Sequence, residues 1–231
     1  MVVKLFCFPC AGGSANMFTK WTKNVNSNIE IIPIELKGRT TRVDESFYPN
    51  FSSLIEDMYS IVSLQIGLEP YVLLGFSMGG LIAFEIYNRL MTNGYKEPER
   101  IVIIAREAPN SNFERISYLS DKDFIDKIYS YQGIPTEIYN NKEILAYLLP
   151  QLRADFEIYE TYDVPNYRKA NCNISVLYGD ADNSVDQNEF FKWSNYTNCD
   201  CEYVKFSGGH FFINTEYQKI LEHIESRVVL T

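Results

Sequence analysis

The stretch YVLLGFSMGGLIAFEIYNRL, Tyr71 to Leu90, decides the fold. Four apolar residues, Tyr71–Leu74, run into Gly75-Phe76-Ser77-Met78-Gly79, and Leu81, Ile82, Phe84, Glu85 and Arg89 follow at helical spacing. A buried strand, a G-x-S-x-G turn and a helix in immediate succession form the setting of a nucleophile elbow. The serine there sits on a strained turn that lifts its hydroxyl above the sheet. Glycines two positions either side let strand and helix approach.

Working outward, strand candidates recur at α/β spacing: Val2–Phe8, Glu30–Leu36, Tyr71–Leu74, Arg100–Ala105, Ile174–Tyr178 and Glu202–Phe206. Helical patterns fall between them near Met17–Val25, Phe51–Ile66, Leu81–Thr92, Gln187–Asn195 and Thr215–Val228. This alternation predicts a mostly parallel sheet with helices on both faces. The interval 109–168 breaks the rhythm. Ser120-Asp121-Lys122-Asp123 reads as a helix start, and further helices are expected over Asn141–Leu149 and Leu152–Tyr162. So long an interval between strands exceeds an ordinary crossover and reads as a helical lid inserted into a single domain spanning 1–231.

The 231 residues are 46% hydrophobic and 15% aromatic, enough for one sizeable core. No apolar run approaches the roughly 18 residues of a membrane span, and the N-terminus MVVKLFCFPCAGG opens as a strand, so no signal peptide is expected and a cytoplasmic location is. The net charge of −9, without a basic block, weighs against nucleic-acid binding. Five cysteines fit a reducing compartment. Cys7 and Cys10 make a C-x-x-C, but Cys7 lies in a strand-like run and no zinc spacing accompanies it, so no metal site is expected.

A serine nucleophile needs a base and a carboxylate to orient that base. In hydrolases with this elbow the order along the chain is serine, acid, histidine. Of the two histidines, His223 lies in an amphipathic C-terminal helix, while His210 follows a strand through Gly208 and Gly209 and is the candidate base. The acid lies in Gly179-Asp180-Ala181-Asp182-Asn183. Asp182, deeper in the loop, is preferred over Asp180, which is suited to capping the turn. An oxyanion hole needs two backbone N–H groups. Met78, after the nucleophile, supplies one. The loop Phe8-Pro9-Cys10-Ala11-Gly12-Gly13-Ser14 supplies the other, from Ala11 with Cys10 as second choice.

Several segments together carry a resemblance: FPCAGGSA, then Gly38, Arg39 and Arg42, GFSMGG, the long pattern YLSDKDFIDKI…YQGIPTEIYNNKEIL…LPQLRADFEIYETY, GDAD and GGHFF. The chain resembles the type II, or external, thioesterases that accompany nonribosomal peptide and polyketide synthases of antibiotic biosynthesis. The resemblance implies an α/β-hydrolase fold with a helical lid and a triad of Ser77, Asp182 and His210 without cofactor. It also implies hydrolysis of acyl groups from the phosphopantetheine arm of carrier proteins, which edits misprimed or stalled synthases. Cys10 stands where an aromatic residue is more usual, Lys37 replaces a proline, and the chain starts at the first strand, as in a sheet trimmed at its edge. A small-molecule carboxylesterase needs the same triad. An inactive module that only binds carriers is the other reading, against which the intact triad weighs.

Carrier proteins are acidic, as the resemblance implies, so a chain of net charge −9 is not steered to them by its overall field. Arg39, Arg42 and Arg106 follow strands on the expected active-site side. Each reads equally as a docking residue, a solvated loop residue or an internal ion-pair partner. Arg153 is placed to pair with Glu157 on a helix. A monomer is expected.

Overall fold

The computed structural model describes residues 2–111, 114–163 and 167–228. Six strands, β1 (Val3–Phe8), β2 (Ile29–Pro33), β3 (Tyr71–Phe76), β4 (Arg100–Ile104), β5 (Asn173–Gly179) and β6 (Cys201–Phe206), form one sheet in the order β2-β1-β3-β4-β5-β6. Every pairing is parallel. The α-helices are α1 (Thr19–Asn24), α2 (Phe51–Gln65), α3 (Met78–Thr92), α4 (Asp121–Ser130), α5 (Thr136–Tyr139), α6 (Lys142–Glu160), α7 (Gln187–Phe190) and α8 (Tyr217–Val228).

Period-2 alternation divides the apolar strand residues between two cores. Phe6, Phe8, Leu73, Ile101 and Ile103 pack with α2 and α3 on one face. Leu5, Cys7, Val72, Leu74, Val102 and Ile104 pack with α1 and α8 on the other. β3 and β4 are buried throughout, and apart from Arg100 at the start of β4 their sequences read as apolar runs.

The helices between β4 and β5 enclose a separate small core of Ile116, Phe124, Ile125, Ile128, Ile134 and Leu152. The Ser120 hydroxyl caps α4 by accepting from the Asp123 N–H. The two helices expected over Asn141–Leu149 and Leu152–Tyr162 are one continuous helix, α6, with Pro150 inside it. Proline there removes one backbone donor, but Pro150 is exposed, so water reaches the carbonyl left unpaired. The expected interval 109–168 includes residues 112–113 and 164–166, which lie outside the described residues.

The two halves of α6 differ. From Lys142 to Pro150 no residue is buried, whereas Leu152, Asp155, Ile158 and Glu160 are. Asp155 forms an ion pair with Arg39, whose side chain is 1% exposed against 2% for the carboxylate. The Glu160 carboxylate accepts from the N–H groups of Ile116 and Ser117 at 2.8 and 3.0 Å. Removing one member of a buried ion pair strands the other charge at a cost of about 3–5 kcal/mol. The Asp155–Arg39 pair holds the C-terminal half of α6 to the body of the protein, and Glu160 fastens it to the segment that precedes α4. Hydrogen exchange is therefore expected to be slower at residues 153–159 than at 136–149. Equal rates along α6 would show that the buried pair does not anchor it.

Candidate active site

The turn after β3 is built by what its glycines lack. A Cβ on Gly75 would lie 1.8 Å from the Gly79 carbonyl oxygen, and one on Gly79 would lie 2.2 Å from that of Phe8. Only bare backbone lets α3 start this close to β1 and β3. Ser77 between them has φ 54° and ψ −118°, a strained conformation for a residue with a side chain. The Ser77 N–H donates to the Ile104 carbonyl at 2.8 Å, which anchors the turn to β4. The hydroxyl does not cap α3 and stays available.

Asp182 and His210 enter from the loops after β5 and β6. Asp182 Oδ2 lies 2.8 Å from His210 Nδ1. Burial raises the Asp182 pKa, but hydrogen bonds from His210 and Ser184 outweigh it, so the carboxyl sits below its ordinary value and is ionised at neutral pH. Asp180 does not face the histidine. It accepts from the Gly208 N–H at 3.0 Å and ties the two loops together. The His210 ring packs against Phe76, the residue before Ser77, at a centroid distance of 5.3 Å. His223 lies elsewhere, on α8, with Nε2 3.2 Å from a Glu202 carboxylate oxygen.

Ser77, Met78, Ala11 and His210 line one cavity of about 80 Å3. No hydrogen bond joins the Ser77 hydroxyl to His210 among the described residues. Catalytic bonds of this kind commonly close only around substrate. As the first residue of α3, Met78 has an N–H without an intrahelical acceptor, at the positive end of the helix dipole. Ala11 occupies the second position of the turn Cys10–Gly13, closed by the Gly13 N–H donating to the Cys10 carbonyl at 2.9 Å. Gly12 has φ 71°, the left-handed value that the third position of a type II turn requires.

A neighbouring cavity of about 290 Å3 shares Ala11 and continues between the Cys10–Ser14 loop, Ile134, Leu148 and Phe211. Burial raises the Cys10 thiol to about 12, so it enters this wall as a neutral apolar group. A larger cavity of about 810 Å3, along α3 between Glu85 and Tyr95, contains none of the site residues.

Sequence reasoning missed Ser184. Its hydroxyl donates to Asp182 Oδ1 at 2.6 Å and lies 2.9 Å from His210 Nδ1. The D-x-S spacing of a side-chain turn was the available signal. Of the four arginines singled out in the sequence, Arg39 and Arg106 are buried and Arg42 and Arg153 are half-buried. Arg39 is buried against Asp155. Arg106 is buried beside Glu107 and Tyr159 on the wall of the Ser77 cavity. Arg42 spans Glu45 and Asp57 at 2.6 and 2.7 Å. Arg153 pairs with Asp121 at 2.7 Å rather than with Glu157, because its guanidinium also reaches the Ser117 and Leu119 carbonyls.

The family model described as "Thioesterase domain" matches residues 3–228. Linear gramicidin dehydrogenase LgrE of Brevibacillus parabrevis is 31% identical over 97% of this chain and 87% of its own. That name refers to redox chemistry, yet no two glycines of this chain lie two apart, so the G-x-G-x-x-G dinucleotide fingerprint does not occur. The crystal structure of ClbQ from the colibactin NRPS/PKS pathway superposes with a TM-score of 0.94 at 27% identity, covering 99% of this chain and 98% of that one. The type II thioesterase BorB from the borrelidin biosynthetic cluster gives 0.88 at 26%, covering 98% and 93%. With its all-parallel α/β-hydrolase sheet and a family match across almost its whole length, the chain belongs to the thioesterases, among the type II enzymes of nonribosomal peptide and polyketide pathways.

Proposed function

We propose that this chain hydrolyses acyl thioesters carried on the phosphopantetheine arm of carrier proteins, clearing misprimed or stalled synthases, with Ser77 as nucleophile, His210 as base and Asp182 as the orienting acid. The observation that carries the reading is the 2.8 Å contact of Asp182 with His210 Nδ1, on the wall of the cavity that also holds the strained Ser77. Asp182 keeps the proton on Nδ1 and leaves Nε2 free to accept one. As Ser77 Oγ attacks the thioester carbonyl, its proton passes to Nε2. The negative oxygen that develops is received by the N–H groups of Met78 and Ala11, each worth about 3 kcal/mol in the transition state. Collapse expels the pantetheine thiolate, which takes the proton from His210. Water, deprotonated by His210, then attacks the acyl-serine and releases the acid and Ser77. The chemistry needs no metal or cofactor.

In this reading residues 109–168 are the lid of one α/β-hydrolase domain, and the 290 Å3 cavity beneath α5 and α6 offers apolar walls to the acyl chain or the pantetheine arm. The protein acts as a monomer in the cytoplasm. Among the described residues no helix is long and apolar enough to cross a membrane. Because Arg39 and Arg106 are buried, carrier docking falls to other residues.

Ser77→Ala is expected to lose fluorophosphonate labelling and more than about a thousandfold in kcat while unfolding at the wild-type temperature. Retention of either activity or label sinks the nucleophile assignment. Asp182→Asn is expected to lower kcat by about 10³–10⁴, because the imidazole is then held in the wrong tautomer. Asp180→Asn removes only a loop contact and should stay within about tenfold of wild type, and a reversed order of the two effects would exchange their roles. Finally, kcat/KM for an acyl-carrier protein should exceed that for a free ester of the same acyl group. Preference for the free ester would identify a small-molecule carboxylesterase instead.

A further inference from the structure

One glycine of the candidate oxyanion loop is held from three directions by one helix. The Gly12 N–H donates to Asp155 Oδ2 at 2.7 Å, and the Gly12 carbonyl accepts from Gln151 Nε2 at 2.8 Å. Leu152 lies so close that a Cβ on Gly12 would come within 2.3 Å of its Cδ2. Gln151 and Asp155 are four residues apart, one turn along the same face of α6. Arg39 completes the arrangement. It binds the same Asp155 oxygen, and its Nε donates to the Gly13 carbonyl at 2.8 Å.

We propose that Asp155 and Gln151 are positioning residues that hold the Ala11 N–H in place for the oxyanion, so that the hole is formed only while α6 is docked. This rests on the reading of Ala11 as an oxyanion donor. Its physical basis is the turn Cys10–Gly13. The Gly13 N–H closes that turn, while Asp155 and Gln151 occupy both polar backbone groups of Gly12. With the residue after it fixed on both sides, Ala11 keeps one orientation, and its own N–H takes no part in the turn. Neither side chain reaches the reacting atoms. Asp155 is buried and paired, and Gln151 is half-buried against the loop. The helix that covers the site is thereby a structural part of its electrostatics, and lid movement at α6 would dismantle the hole. Opening for substrate entry then falls to α4, α5 and the exposed N-terminal half of α6.

The test compares wild type, Gln151→Ala and Asp155→Asn for hydrolysis of an acyl thioester and for affinity towards the matching acyl trifluoromethyl ketone. In that complex Ser77 Oγ adds to the ketone carbon, its proton passes to His210, and the former carbonyl oxygen becomes the oxyanion. The ketone therefore reports the hole, whereas KM reports substrate binding. A misplaced oxyanion donor is expected to lower kcat about tenfold in Gln151→Ala and about 10²-fold in Asp155→Asn, with ketone affinity falling in parallel and KM within about twofold. A fall in kcat with unchanged ketone affinity, or a change confined to KM, overturns the clamp and leaves a packing role. So does wild-type kcat in Gln151→Ala. Should Asp155→Asn fail to fold, Gln151→Ala decides alone. Failure of the underlying reading looks different. It would show as a wild-type enzyme that binds the ketone no more tightly than the matching methyl ketone, or as a Ser77→Ala variant that still hydrolyses thioester.

Discussion

The close approach of α3 to β1 and β3 is the constraint on which the site depends. Side chains at Gly75 and Gly79 would overlap backbone atoms of the neighbouring elements, so their absence sets where the helix begins. That placement forces Ser77 into its strained turn and puts the Met78 N–H at the helix start. Around this crossing Phe6, Phe8 and Leu73 on one face and Cys7, Val72 and Leu74 on the other are packed in apolar clusters. Packing there resists relaxation of the turn, which is how a fold sustains local strain.

The remaining site groups arrive from distant parts of the chain and are fixed by polar contacts. Asp182 is held by His210 and by Ser184, its neighbour two residues on. The Asp180 carboxylate joins the β5 and β6 loops through Gly208, so Asp182 and His210 sit on one tied unit. On the opposite side, α6 grips the loop after β1 through Gly12. The cavity walls are therefore set by three separate sets of contacts that meet around Ser77.

Charge follows the same economy. The net charge is −9, yet Arg39 and Arg106 lie inside. Arg39 serves Asp155 and the glycine loop, and Arg106 serves Glu107 and Tyr159. Spending two cations internally leaves the surface near the site less able to attract an acidic partner at long range.

Local sequence determined a good deal. The apolar runs of β3 and β4, the α/β alternation and the placement of Ser77, Asp182 and His210 just beyond strand ends are legible because burial on both faces and loop position at strand ends leave direct marks in composition. Of the two loop aspartates, the deeper one, Asp182, lies beside His210 while Asp180 meets Gly208, since loop depth sets reach. Tertiary structure decided the rest. The sequence separates helices at Asn141–Leu149 and Leu152–Tyr162, but the exposure of Pro150 and the buried face beyond it allow α6 to run through. Arg39 and Asp155 are 116 residues apart and make a pair that no local pattern reveals. Gly12 in sequence is a flexible turn residue, and only the packed molecule shows it seized by Gln151, Leu152 and Asp155. Periodicity records how each segment meets solvent and core. Which polar groups meet one another is settled only when distant segments are brought together, because a hydrogen bond or ion pair depends on positions that neither partner's neighbourhood encodes.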